Sequence, residues 1–469
     1  MAYIRLLSVS AAVLFTLSAA TAHAQTSPPA PIRILGQESG DGLGFSLAPV
    51  GDVDGDGDID LVVGAPASDV NQQFAGRAYL FEGPFTGTSG TAAAANTIST
   101  TFFGDNVGFS VASAGDVNGD GLDDVLVGAR GSDAGGIQSG RAYLFLGPVT
   151  ERLAGGADAI ITGLPFEEIG RIVAPAGDLD NDGFDDIIVG SDIAGPGSPG
   201  RLYLFNGPIT GALSVTSASA VLTGALPDDF FGTSVAAPGD LNGDGFADLV
   251  VGASRLVALG DTQGPGRVFV FHGPFAGAIS ALSAQAILTG ELLNDAFGQS
   301  VATGDVNGDG TIDLVVGAHQ LFRDDGTGKA YVFHGPLAGP VAAASAQAVI
   351  RGEGLGHLFG GAVASADLDQ DGKSDLVVGA PGGLGSRLYA FRSPLAGEVA
   401  AASAPFRATA AVTEGLGMAV ATADLDGDGR PDVIAGGPSA SESTAATYVV
   451  AYTNALPPLP VRRRAKAPR

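Results

Sequence analysis

The chain has 469 residues, 45% of them hydrophobic and 16% charged, with 73 glycines and no cysteine. That composition supplies a large core and excludes disulfides, thiolate zinc sites and thiol chemistry. Its 50 acidic and 23 basic residues leave a formal net charge of −27, an acidic balance that repels nucleic acid and anionic membranes, so no nucleic-acid partner is expected.

Residues 1–24 read as a secretory signal: Arg5, an apolar run from Leu6 to Ala20, and Ala22-His23-Ala24 as a small-x-small cleavage site. A bacterial protein exported to the periplasm, cell surface or medium is expected, with residues 25–30 as a linker. No later stretch carries the roughly 18 uninterrupted apolar residues of a membrane span, so no transmembrane anchor is expected. Pro31 to Gly36 is a short strand-like piece with no neighbour in sequence to pair with.

From Asp52 to Asp60 the chain reads Asp-Val-Asp-Gly-Asp-Gly-Asp-Ile-Asp, and this unit recurs six more times with starts 57 to 65 residues apart. A period of that length marks a repeat architecture. Position 1 is Asp52, Asp116, Asp178, Asp240, Asp305, Asp367 and Asp424. Position 3 is Asp54, Asn118, Asp180, Asn242, Asn307, Asp369 and Asp426. Position 5 is Asp56, Asp120, Asp182, Asp244, Asp309, Asp371 and Asp428, and position 9 is Asp60, Asp124, Asp186, Asp248, Asp313, Asp375 and Asp432.

Alternate oxygen-bearing residues in a tight loop suit Ca2+, which takes six to eight oxygen ligands. Position 7 varies through Asp58, Leu122, Phe184, Phe246, Thr311, Lys373 and Arg430. A lysine or arginine side chain cannot be a ligand, so the backbone carbonyl is the expected donor there. Position 12, a bidentate Glu in an EF-hand, is Val or Ala (Val63 to Ala435), which excludes helix-loop-helix sites. Polar turns alone explain one such cluster but not seven, because crowded carboxylates repel one another without a cation. Up to seven Ca2+ ions, one per repeat, are expected. They would offset about half of the net charge.

Each loop is preceded by a Gly/Phe-rich strand (Gly44 to Ala48) and followed by an apolar strand (Leu61 to Pro66) and a third strand (Arg77 to Phe81). The third strand recurs from Arg141, Arg201, Arg267, Lys329 and Arg387, and in diverged form from Thr447 to Ala451. Fourth strands are expected near Thr97, Ala159, Ala220, Ala286, Ala348 and Phe406, after Ala/Ser/Gly connections with room for a helical turn. That makes six fourth strands for seven repeats, and Ile32 to Gly36 supplies the seventh. The expected fold is all-β: a seven-bladed β-propeller of four-stranded antiparallel blades over residues 31–454, closed by the N-terminal strand completing the last blade. Residues 455–469, with Arg462, Arg463, Arg464 and Lys466, are expected to be a disordered basic tail.

Gly44-Phe45, Phe231-Gly232, Phe297-Gly298 and Phe359-Gly360, with Gly64-Ala65-Pro66 and Gly379-Ala380-Pro381, carry a resemblance to the FG-GAP repeat family, the propeller of integrin α subunits and its bacterial relatives. The resemblance implies calcium in the hairpins joining strands 1 and 2. Gly170-Arg171 and Leu416-Gly417-Met418 depart from the aromatic pattern and imply altered packing in blades three and seven. The integrin propellers carry such loops in only some blades. No inserted ligand domain, stalk or membrane helix accompanies this chain, so an integrin-type receptor mechanism is not expected to carry over.

Antiparallel alternation puts the Asp loops and 3–4 connections on one face and the 2–3 and 4–1 loops on the other. A protein or carbohydrate ligand is expected on that second face, where Arg130, Asp133, Arg255, Leu256, His319, Phe322, Arg323, Asp324 and Asp325 depart from the repeat. Solvated loop tips would have the same composition. The basic residue opening strand 3 recurs too regularly for a ligand contact and is expected to be a structural partner. Beyond the signal only His272, His319, His334 and His357 remain, without a Gly-x-Ser-x-Gly elbow or paired-histidine zinc motif. A monomeric, non-catalytic binding or adhesion module is therefore expected. A structural surface or matrix protein and a carbohydrate-active enzyme such as a polysaccharide lyase stand as alternatives.

Overall fold

A computed structural model describes residues 30–36, 40–69, 73–150, 153–254, 264–320, 326–383, 385–410, 414–438 and 447–458. Its second strands are β-branched and aliphatic runs such as Leu61–Ala65 and Asp248–Ala253, buried along their whole length. Burial on both faces follows from blades stacking face to face around a ring. In blade four, Phe231–Gly239, Asp248–Ala253, Arg267–Phe271 and Ala286–Thr289 pair antiparallel in sequence order, and the other blades repeat this order. The fold is the expected all-β seven-bladed propeller.

The ring closes where Ile32–Leu35 pairs antiparallel with Tyr448–Tyr452, Ile32 opposite Ala451 and Leu35 opposite Tyr448. That third strand lies one residue later than the sequence pattern suggests. Tyr448, opposite Gly437, takes the place of the basic residue. Thr447 precedes the strand and donates its hydroxyl to Asp41 Oδ1 at 2.6 Å.

The 3–4 connections hold more order than expected. In five of them a short strand runs parallel to the outer strand of the preceding blade: Thr88–Gly90 on Ile32–Leu35, Gly211–Ser214 on Ala159–Thr162, Gly277–Ser280 on Ala220–Thr223, Gly339–Ala342 on Ala286–Thr289 and Gly397–Ala400 on Ala348–Arg351. Blade two contributes a single bridge, Leu153 to Ser99. A 3-10 turn follows each, as at Val215–Ser217 and Ala281–Ser283. These strands lace neighbouring blades together.

The repeated glycines meet at the blade seams. A Cβ on Gly64 of blade one would overlap the carbonyl oxygen of Gly108 in blade two, and Gly128 and Gly170, Gly252 and Gly298, Gly317 and Gly360, Gly379 and Gly417, and Gly436 and Gly44 repeat the approach. Gly108 has φ of +79°, so freedom from steric overlap and from backbone restriction is needed at one point. Its carbonyl also accepts the Ser46 hydroxyl at 2.9 Å.

The residue before the seam glycine fills the core. Phe231, Phe297 and Phe359 are fully buried there and meet Phe271, Phe333 and Phe391 edge-on at 6.1 to 6.3 Å. Leu43, Val107, Ile169 and Leu416 hold the same place in the other blades and are equally buried. In blades three and seven Ile169 and Leu416 thus fill the place of the aromatic ring, while Arg171 and Met418 follow the glycine and line the central channel.

Candidate metal centres and the opposite face

Each Asp loop is organised by its own amides. Asp52 accepts Gly55 N at 2.6 Å and Asp56 N at 3.1 Å on Oδ1, and Gly57 N at 2.9 Å on Oδ2. Asp54 accepts Asp56 N, and Asp56 accepts Asp58 N. The amide of position 7 donates to the carboxylate of position 5 in all seven loops. The remaining lone pairs converge. Carboxylate oxygens of Asp52, Asp54 and Asp60 lie within 4.8 Å of one another, as do those of Asp178, Asp180 and Asp186, of Asp367, Asp369 and Asp371, and of Asp424, Asp426 and Asp432.

The other three loops carry asparagine at position 3. Asn118, Asn242 and Asn307 turn their amide nitrogens to the carboxylates of Asp120, Asp244 and Asp309 at 2.8 to 2.9 Å. Lys373 reaches Asp371 at 3.3 Å and Arg430 reaches Asn454 at 2.7 Å, so neither side chain offers a donor atom for a cation.

Position 9 differs in kind. Asp60, Asp124, Asp186, Asp248, Asp313, Asp375 and Asp432 are at most 1% exposed. In blade two, Asp124 Oδ2 accepts Val117 N and Oδ1 accepts Gly147 N, both at 2.9 Å. This ties the loop to the end of strand 3, and five other blades repeat the pair of bonds. Burial pushes Asp60, Asp124, Asp186 and Asp375 up to about 6 and Asp432 up to about 7.

Asp369 Oδ1 and Asp432 Oδ1 are buried oxygens without a hydrogen-bond partner, both inside Asp loops. Converging, partly unsatisfied carboxylates with only hard oxygen donors fit Ca2+ and not a softer transition metal. Adjacent loops are also joined: Asp123 accepts Asp52 N at 3.1 Å and Asp185 accepts Asp116 N at 2.9 Å. Sequence reasoning missed these two residues, although both stand at position 8 of their loops.

The profile of the FG-GAP repeat matches residues 43–81, 107–145, 170–205, 231–271 and 297–333, and that of the FG-GAP-like repeat matches 367–435. Together these segments cover more than half of the chain, each spanning a seam glycine, an Asp loop or both. This chain is an FG-GAP repeat protein. It is 40% identical over 158 residues to integrin alpha-5 of Xenopus laevis, a match covering 31% of this chain and 14% of that protein. It is 33% identical over 225 residues to integrin alpha-IIb of Homo sapiens and 34% over 230 residues to integrin alpha-V of Gallus gallus, each match covering 45% of this chain and 20% of the relative. The matches thus span a fifth or less of those proteins' length. Among the described residues, no helix of this FG-GAP protein is long and apolar enough to cross a membrane.

On the opposite face of the FG-GAP propeller, the residues after the seam glycines converge. Phe45, Phe109, Arg171, Thr233, Gln299, Gly361 and Met418, one from each blade, line a cavity of about 480 Å³ at the channel mouth. Scaffold equivalence ends here, because these seven positions carry two aromatic rings, a guanidinium, a hydroxyl, an amide, a thioether and a glycine. Phe45 and Phe109 stand 5.0 Å apart, and the Arg130 guanidinium lies 4.3 Å from the Phe109 ring centre. Glu168 bridges Arg130 at 3.3 Å and Arg171 at 3.2 Å, and Asp192 holds Arg171 at 2.7 Å. Of the residues nominated from sequence, His319 lines this cavity and Arg130 stacks on Phe109 beside it. Asp133 instead accepts Gln138 N at 2.7 Å within its own loop. Arg255, Leu256, Phe322, Arg323, Asp324 and Asp325 lie outside the described residues.

In blades three to six the basic residue opening strand 3 has a structural partner. Arg267 pairs with buried Asp229 at 2.7 Å, Arg201 with Glu167 at 3.1 Å, Lys329 with Glu291 at 2.6 Å, and Arg387 with Glu353 at 3.7 Å. Each acid comes from the 4–1 loop that leads into the same blade. Sequence reasoning missed these acids; Glu167 and Asp229 share with Asp41, Asp105, Asp295 and Glu414 a place three residues before a seam glycine, whereas Glu291 and Glu353 stand seven before theirs.

His319, 8% exposed at the cavity wall, is lowered by burial from 6.5 to about 4. A base whose folded value lies below its unfolded one stabilises fully above pH 6.5 and loses that contribution as pH falls toward 4. The loss should reach about 2.5 kcal/mol by pH 4.5. Urea midpoints at pH 7 and 4.5 should therefore diverge more for the natural chain than for His319→Gln.

Proposed function

We propose that this FG-GAP protein is an exported, non-catalytic binding or adhesion module, with Ca2+ as a structural ion in its strand 1–2 hairpins. One observation carries the binding reading. Among the described residues every exposed large apolar side chain except Leu153 and Leu282 belongs to the 2–3 and 4–1 loops or the channel mouth. Phe74, Phe102, Phe103 and Phe166 put the aromatic part of this surface on blades one to three, at 45% to 68% exposure. Apolar surface gathered on one face marks an interaction site, and aromatic anchors beside Arg130 and Arg171 suit a protein or carbohydrate ligand.

In each loop the oxygens of positions 1, 3, 5 and 9 and the carbonyl of position 7 would hold the ion. Residues 1–24 act as the export signal in this reading, and the propeller works as a monomer. The test is binding of the secreted chain to an array of matrix proteins and glycans in millimolar Ca2+ and again with chelator. A hit that requires Ca2+ and is lost in Phe109→Ala and Phe103→Ser supports the reading. Cleavage of an arrayed polysaccharide would replace it with an enzymatic one.

A further inference from the structure

The outer strand of blade six, Phe406–Thr409, has no fifth strand beside it among the described residues. In five blades the fifth strand comes from the 3–4 connection of the following blade, and at blade one that connection makes a single bridge, Leu153 to Ser99; for blade six the following blade is blade seven. There the third strand Tyr448–Tyr452 runs into the C-terminal segment, since the outer strand of that blade is supplied by Ile32–Leu35.

The consequence is visible in burial. The first and third residues of the covered outer strands are buried, as in Ala220 and Leu222, Ala286 and Leu288, and Ala348 and Ile350. Their counterparts Phe406 and Ala408 are only half-buried.

The chain's own C-terminal segment is in phase to fill this edge but lacks the donors. Leu456 is 1% exposed, four residues beyond strand 3, where Phe85 and Ile209 are buried in their blades. Two residues further on, the fifth strand begins at Gly211, Gly277, Gly339 and Gly397. Each donates its amide to the residue preceding the neighbouring outer strand, at 2.7 to 2.9 Å. A parallel ladder uses alternate residues, so the amides needed are those of the first and third positions. In the C-terminal segment these are Pro458 and Pro460, which have no N–H. Pro340, by contrast, stands at the second position of a fifth strand that does pair.

We propose that the blade-six edge accepts an extended segment of a partner protein, running parallel to Phe406–Thr409 and completing the lacing present on the other blades. The segment recognised has the chemistry of this chain's own fifth strands: a residue with a free amide and no bulk, any residue, an aliphatic residue, then Ser or Ala, as in Gly277-Ala278-Ile279-Ser280. Strand addition of this kind takes affinity from main-chain bonds and selectivity from alternate side chains. Arg407 offers the outward amide, being the counterpart of Arg33, whose N–H donates to Gly87 O at 2.9 Å.

The probe is the labelled peptide Gly-Ala-Ile-Ser-Ala-Leu-Ser-Ala, the sequence of residues 277–284, titrated into the full chain. Saturable binding is expected, weakened at least tenfold by proline at the first and third peptide positions and unchanged by proline at the second. Arg407→Pro should abolish binding while keeping the unfolding midpoint, since an edge strand tolerates proline where its N–H faces outward. Equal binding of all three peptides, or binding undiminished by Arg407→Pro, would overturn the proposal. So would failure to bind the full chain; binding only to a chain ending at Pro458 would give the edge to the chain's own tail.

Discussion

Removing divalent cations should lower the thermal unfolding midpoint by about 10 °C relative to 10 mM Ca2+. On the proposed reading the loops bind Ca2+ as extracellular modules do, with dissociation constants around 10⁻⁴ to 10⁻³ M. At a tenfold excess over a constant of about 10⁻³ M, each ion contributes about 1.4 kcal/mol by mass action, or about 10 kcal/mol over seven loops unfolding together. Spread over the unfolding entropy of a propeller of this size, that is roughly one degree per kcal/mol. Calorimetry in Ca2+, in Mg2+ and in chelator measures the effect. Mg2+ should restore less, because it prefers to keep its waters and its octahedral geometry. Coincident transitions in all three would mean that the oxygens of Asp52, Asp54 and Asp60, held within 4.8 Å of one another, close no cation.

Asp124→Ala should cost about 3–5 kcal/mol, and most of that loss should persist in chelator. Its carboxylate is inaccessible to solvent and accepts the buried amides of Val117 and Gly147. Deleting it leaves two buried donors unsatisfied, each costing about 1–3 kcal/mol. Asp120 in the same loop is exposed and bonds amides that water can reach. Asp120→Ala should therefore destabilise only when Ca2+ is present, by about the 1.4 kcal/mol that one ion supplies. Urea unfolding of both variants with and without chelator separates the roles. Equal losses in chelator would remove the distinction between a structural position 9 and metal-facing positions 1, 3 and 5.

The repeat, its count and the ring closure were readable in the linear chain because each depends on spacing. Seven Asp loops at a near-constant period, six fourth strands and an orphan strand at Ile32 leave few ways to complete the sheets. The Asp loops were legible for the same reason, as position 1 shapes its loop through amides at most five residues away. The 4–1 loop acids were not. Asp229 meets Arg267 across 38 residues, and its place before a seam glycine does not by itself name the base it pairs with.

What the sequence determined by itself, then, is every feature whose partners are close in the chain or recur at a fixed interval: the blades, the loops, their oxygen positions and the seam between the two ends. The tertiary structure alone decided which side of each seam glycine faces the core and which faces the channel, so that Phe45 and Phe109 line a cavity while Leu43 and Val107 are buried. It alone gathered most of the exposed apolar loop tips on one face and, among the described residues, left the blade-six outer strand without a lacing strand. Those outcomes depend on contacts between blades, which arise from closing a twisted ring and have no period within a single strand.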